Sequence, residues 1–334
     1  MKKRILFLCI LQSAFLSSQA CDFCGCFMGI TPYDVQSSVS LVTRYKSYNG
    51  YESMNQSHNA FPDGFLRNAR HEQPNEVLHN GETHGTLSPD EYEVYRSVDL
   101  RGKFYVHRRV EINAVLPYIR NKHVHPEENE NYELNGLGDF YLSTGVHIVS
   151  KPDELLFQQR LIAGAGVKLP TGKNNLSSDG IRMHADMQPG TGSADGFAYL
   201  NYITGLGHWG ADLFAMHKVN GENYFSERIT DNTTGQLNLF YKIKMKDWYV
   251  IPSVQSFYEY TKGMVVNDEL QLESGSNLLT AGLGADLFYK NIGLRLTFQL
   301  PVYEKLNGDH LSNSAVVMAG LSYNFNQLGY LLGK

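Results

Sequence analysis

Towards its end the chain alternates with period two. Leu279, Ala281, Leu283, Ala285, Leu287 and Tyr289 are apolar or interfacial, and Thr280, Gly282, Gly284 and Asp286 fall between them. Ile292, Leu294, Leu296, Phe298 and Leu300 repeat the pattern against Gly293, Arg295, Thr297 and Gln299. One apolar face at period two predicts strands, not helices. Val110 to Tyr118 and Leu161 to Leu169 read the same way, while Arg96 interrupts the apolar set of the second strand.

Twelve such stretches follow one another, and their connectors alternate between short and long. The short ones centre on His107-Arg108, Lys151–Glu154, His208–Gly210, Lys246-Asp247 and Lys290-Asn291. The long ones span about 49–90, 121–135, 173–189, 219–234, 261–276 and 304–313. A membrane β-barrel sorts its connectors this way, with tight periplasmic turns on one rim and long outer loops on the other. A soluble sandwich has no reason to. Gly and Ala on both faces, with charges on the polar one, predict that the apolar face points outward. The expectation is an all-β protein, a transmembrane antiparallel barrel of about twelve strands over residues 35–325. An even strand number puts both termini on the periplasmic side.

Composition agrees. Tyr (21) and Phe (17) far outnumber Trp (2), and Gly reaches 31, a balance that favours strands over helices. Mean hydropathy is slightly negative, which a barrel permits because only alternate strand residues meet lipid. Met1–Ala20 reads as a secretory signal: Lys2, Lys3 and Arg4 precede the apolar Ile5–Phe15, and Ser18 and Ala20 sit before a cut ahead of Cys21. Its loss makes the formal charge of −5 more negative by three. Residues 21–34 form a Cys-containing segment and 326–334 a tail. The bacterial outer membrane is the expected location, its lipid bilayer and a small solute the expected partners, with no nucleic acid.

Chemistry concentrates at few places. Cys21, Cys24 and Cys26 are dense enough to chelate copper or zinc, with His107, His147 and His208 near the same rim. A disulfide-tightened plug and acylation at Cys21 are the alternatives. His123 and His125 straddle Val124 beside Glu127, Glu128 and Glu130, a weaker outer arrangement. Arg44, Arg101, Glu111, Asp139, Arg160, Lys168, Asp286 and Arg295 all fall on polar sets and are expected to line the lumen, either sealing it or lining a path. Pro170 and Gly172 form a hinge where the fifth strand ends, and with Gly190 and Gly192 they are candidates for a loop that folds inward to constrict the pore. The Gly166 to Gly172 spacing is too long for a phosphate-binding loop, and Asn174 stands where its hydroxyl would be. No Gly-x-Ser-x-Gly and no Ser–His pairing suggests a barrel hydrolase.

The segment Gly164–Lys173 followed by Gln188–Ser193 resembles the outer-membrane family named for the phenol-degradation meta pathway (MetA-type), often called simply "transporter". Gln299–Glu304 ahead of Asn307-Gly308 is similar to that family's penultimate strand. Cys21-Asp22-Phe23-Cys24-Gly25-Cys26-Phe27 resembles a Bacteroidetes-type variant. The resemblance implies a barrel passing small, often hydrophobic compounds. The functional expectation is a passive outer-membrane channel and not an enzyme. A copper- or zinc-handling barrel and a non-transporting structural barrel are the alternatives.

Overall fold

The computed structural model describes residues 35–51, 58–59, 91–125, 130–151, 157–178, 180–271, 274–306 and 311–326. Residues 1–34, on which the expected signal sequence and the cysteine segment fall, and residues 327–334 lie outside these. Twelve barrel strands are formed by the described residues: β1 (Ser37–Tyr51), β2 (Tyr92–His107), β3 (Val110–His125), β4 (Glu130–Leu137 and Phe140–Lys151), β5 (Phe157–Leu169), β6 (Asp195–Leu206), β7 (Trp209–Val219), β8 (Asn232–Tyr241, extended by Ile243–Met245), β9 (Trp248–Thr261), β10 (Ser276–Tyr289), β11 (Ile292–Leu306) and β12 (Leu311–Phe325). Each pairs antiparallel with its chain neighbours, and β12 returns to pair with β1. An even number is what makes that closing pair antiparallel. Closure leaves no unpaired edge in the bilayer, where a free backbone N–H or C=O has no water partner.

Which face points out follows from the same alternation. On β10 Leu283, 66% accessible, and Tyr289 are exposed, while Thr280, Asp286 and Phe288 are buried. On β5 Phe157, Val167 and Leu169 are exposed and Ile162 and Lys168 buried. Leu41, Leu100, Leu142, Leu200, Leu213, Leu239, Val254, Leu296 and Leu321 continue an apolar outer belt. Exposed Leu next to buried Lys inverts a soluble core and fits lipid outside, polar lumen inside. Aromatic pairs mark the periplasmic edge: Trp209–Tyr241 at 4.8 Å between ring centroids and Trp248–Tyr289 at 4.7 Å. Such rings anchor the membrane–water boundary.

The tight turns Gly207-His208, Lys246-Asp247 and Lys290-Asn291 each place their first residue at positive φ, 59°, 48° and 50°. Reversing a right-twisted ladder in two residues demands this. Two of the expected long connectors are corrected by the structure. β3 runs to His125 and β4 resumes at Glu130, while β11 runs to Leu306 and β12 starts at Leu311. Most of 121–135 and 304–313 is therefore strand. Above the membrane the outward face no longer has to be apolar, so the ladder continues where the hydrophobic signal stops. On β3 the outward set changes from Val110, Ile112, Ala114 and Leu116 to Tyr118, Arg120 and Lys122, which sets the outer edge of the bilayer near Tyr118. Arg96, opposite Arg120 in register, stands at that edge and leaves β2 intact. Beyond the edge, Glu227–Ile229, Met264–Val266 and Glu269–Leu270 make a small sheet between two outer loops.

Candidate functional site in the lumen

The loop after β5 does not stand out into solvent. Gly172 and Gly190 meet backbone to backbone: a Cβ on Gly172 would lie 2.7 Å from Gly190 Cα and 3.0 Å from Gly138 Cα. Only glycine allows that approach. Gly190 N donates to Lys173 O at 2.9 Å, Asn121 Nδ2 to Met187 O at 3.1 Å, and Pro189 packs beside Gly136 and Gly138. The loop thus lies against the inner wall of β3, β4 and β5. Gln188 holds its shape, donating to Leu176 O and Met183 O and accepting from Leu176 N. Pro170 is exposed at the strand end, and Gly192 takes φ 73°.

A buried charge cluster fastens this loop. Lys168 is fully buried, 3.1 Å from Asp139 Oδ2 and 2.7 Å from Asp195 Oδ2, and it donates to Thr191 Oγ1. Asp139 accepts from Gly172 N at 3.0 Å, Thr191 N at 2.9 Å and Thr191 Oγ1 at 2.9 Å. Lys218 lies 3.6 Å from Asp195, whose Oδ1 accepts from Ser193 Oγ and Gly221 N. A buried ion survives only with partners filling its lone pairs, and both carboxylates have several. Outside the membrane, Arg182 holds Glu227 bidentately at 2.5 and 2.8 Å, joining this loop to the next. That guanidinium keeps the Glu227 carboxyl below its ordinary range.

The other inward charges fall into separate pairs. Arg101 bonds Asp99 at 2.5 Å, and Arg295 bonds Asp286. Glu111 meets His147 Nε2 at 3.1 Å, with Tyr105 Oη 3.3 Å from the same nitrogen. Asp212 accepts from Asn201 and Asn238. Arg44 borders a small space of about 380 Å3, its open side included, with Asp99, Asp139 and Thr191, directly under the loop.

In the periplasmic half an open cavity of about 1300 Å3, mouth included, is bordered by Arg101, Glu111, Arg160, Asp286 and Arg295 among others. Its two sides differ. Ile162, Phe197, Tyr199, Phe214 and Met216 pack as one apolar cluster on β5, β6 and β7, with Tyr199 and Phe214 stacked at 6.0 Å. Half a turn of the ring away, β12, β1 and β2 present Asn324, Ser322, Ser38, Ser40, Arg101 and Lys103.

The eight charged residues expected in the lumen all sit on strand faces or joints that point inward. The structure brings Asp139 and Lys168 together, and Asp286 with Arg295. Arg101, Glu111 and Arg160 border the same lower cavity as Asp286 and Arg295, and Arg44 shares the small space under the loop with Asp139. Asp195, Lys218, Thr191 and Asp99 were not singled out beforehand. Parity alone marks three of them: Asp195 shares a set with Phe197 and Tyr199, Lys218 with Asp212 and Phe214, Asp99 with Arg101. Large apolar groups on a charged set are what a lumen wall looks like.

The histidines considered for metal keep different partners. His107 is exposed, its Nδ1 3.2 Å from Arg109 N, and His208 Nδ1 lies 2.9 Å from Lys242 O. His147 is enclosed with Glu111. Cys21, Cys24 and Cys26 lie outside the described residues, among which no three His, Cys, Asp or Glu side chains form a metal cluster. At the outer end, His123 turns inward between Glu91 at 2.9 Å and Glu93 at 2.8 Å.

No protein family and no curated relative matches the sequence. Among solved structures, an outer membrane channel from Pseudomonas putida F1 matches with TM-score 0.63 at 12% identity, over 91% of this chain and 99% of that one. More distant are the β-domain of a Bordetella autotransporter (TM-score 0.45, 11% identity, 87% and 100% covered) and a Pseudomonas aeruginosa FadL homologue (0.37, 10%, 87% and 90%). The likeness to the channel is one of fold: this chain is a closed twelve-stranded transmembrane β-barrel.

Proposed function

We propose that the chain is an outer-membrane channel for small solutes carrying an apolar part, which cross passively. The two-sided lower cavity supports this best. A rigid wall of Ile162, Phe197, Tyr199, Phe214 and Met216 takes apolar surface, while Ser38, Ser40, Asn324, Arg101 and Lys103 opposite keep the solute partly solvated. A path needs binding weak enough to leave as well as enter, and a half-wetted lumen provides that. The inward loop after β5, fastened on Asp139 and Lys168, sets the constriction above it.

Purified barrel in planar lipid bilayers is expected to give discrete conductance steps. Removal of residues 174–187 from the loop is expected to enlarge them. Absence of steps in both forms would reject the channel and leave a non-transporting structural barrel. His107, His147 and His208, each with its own partners, lend no support to the metal-handling alternative.

A further inference from the structure

On the lipid-facing side of β1 to β4, cations stand where the apolar belt ends. Arg96 and Arg120 are direct cross-strand partners, and both are exposed. Directly opposite residues on one face lie within about 5.5 Å at Cα, and like charges there are destabilising unless something neutralises them. Lys122 is the next outward residue on β3. Glu133 balances only part of this charge: it bonds Arg120 at 2.7 and 3.1 Å. Arg96 has no carboxylate within ion-pair distance among the described residues and lies over the Tyr45 ring at 5.6 Å, while Lys122 lies 5.9 Å from the Tyr92 centroid. Two of three cations are therefore held by aromatic faces, and Glu133, which also stands directly opposite Lys122 in register, sets one negative charge against three positive ones.

The row immediately below is Val98 with Tyr118 at the bilayer edge, and Leu100 and Leu116 follow it, facing acyl chains. The patch faces away from the lumen and from solutes in transit. It lies at headgroup height in the leaflet beneath the long loops, which is the cell-surface leaflet. We infer that Arg96, Arg120 and Lys122 form a binding site for the phosphate of an acylated glycolipid of the lipid A type. Its phosphate bridges the Arg96–Arg120 pair, its sugar rests on Tyr45, Tyr92 and Tyr118, and its chains run down over Val98, Leu100 and Leu116. Guanidinium groups suit this, because their fork matches phosphate oxygens bidentately.

Native mass spectrometry of the full barrel in detergent, titrated with diphosphoryl lipid A, its dephosphorylated form, phosphatidylglycerol and inorganic phosphate, tests the site. Wild type is expected to retain the phosphorylated glycolipid in preference to the other three. Arg96→Gln is expected to weaken that retention about tenfold, the scale of one charge-assisted hydrogen-bonded contact. Lys122→Gln adds a further loss. Arg96→Gln leaves the Arg120–Glu133 pair in place, and gel mobility without boiling verifies that each variant is folded. Equal retention of dephosphorylated lipid, equal retention of phosphatidylglycerol, binding of inorganic phosphate alone, or an Arg96→Gln variant as competent as wild type each overturns the assignment.

Discussion

Lys168→Met tests the loop clamp most directly. The ammonium sits between Asp139 at 3.1 Å and Asp195 at 2.7 Å with no solvent exposure. Methionine fills much the same volume and removes the charge. Breaking one partner out of a buried ionic cluster costs about 3–5 kcal/mol. Two features place this case near the lower bound: Asp195 keeps Lys218 at 3.6 Å, and Asp139 keeps the amides of Gly172 and Thr191. About 3 kcal/mol is roughly a hundredfold change in an equilibrium. The cheapest relief is for the loop to swing away and let water reach both carboxylates. The closed arrangement therefore loses about that factor against an open one. Single-channel recording is expected to show longer or larger open states. Trypsin is expected to cut faster at Lys173 and Arg182 in Lys168→Met than in Lys168→Arg, which keeps the charge. If the variant migrates as a folded barrel, yet its conductance and cleavage equal wild type, the clamp does not hold the loop.

Gly172→Ala places a methyl 2.7 Å from Gly190 Cα; it should destabilise by about 1–3 kcal/mol, seen as a lower melting temperature in detergent, whereas Gly196→Ala, with open space at its Cβ, should melt as wild type. Leu283→Arg, mid-belt on β10, should cost about 2–4 kcal/mol of folding stability in liposomes, but Leu206→Arg at the periplasmic rim only about 0–1; equal costs would contradict the assigned depth. At the outer end, burial works to lower the pKa of His123, but the hydrogen bond and charge of Glu93, with the charges of Glu91 and Asp186, outweigh it and raise it above 6.5. A raised folded value means the stabilisation is complete below 6.5 and fades as pH rises through the folded pKa. An imidazole NMR titration midpoint above 6.5 is expected, with the pH dependence of melting lost in His123→Gln, and a midpoint at or below 6.5 refutes the pairing.

What the residue pattern reveals about this barrel follows the dielectric around each residue. Leu279 to Tyr289 and Ile292 to Leu300 are legible because lipid accepts nothing else on their outer face, so period two is enforced at every position. Arg96, Arg120 and Lys122 obey the same geometry but stand in the headgroups, where the rule lapses. In the sequence Arg96 reads as a flaw in a strand, and the structure turns it into a landmark for the edge of the bilayer. The lumen is harder to read for a different reason. Polar parity places Lys168 inside, yet nothing local connects it to Asp195, which stands directly opposite it on the next strand but is separated from it in the chain by the whole intervening loop. Glycine at 172 and 190 carries that information only through a contact between two backbones. Strand faces are set by the solvent each one meets and can be read one residue at a time. The clamp depends on a pairing across space, so its members become visible together only once the register of β4, β5, β6 and β7 is known.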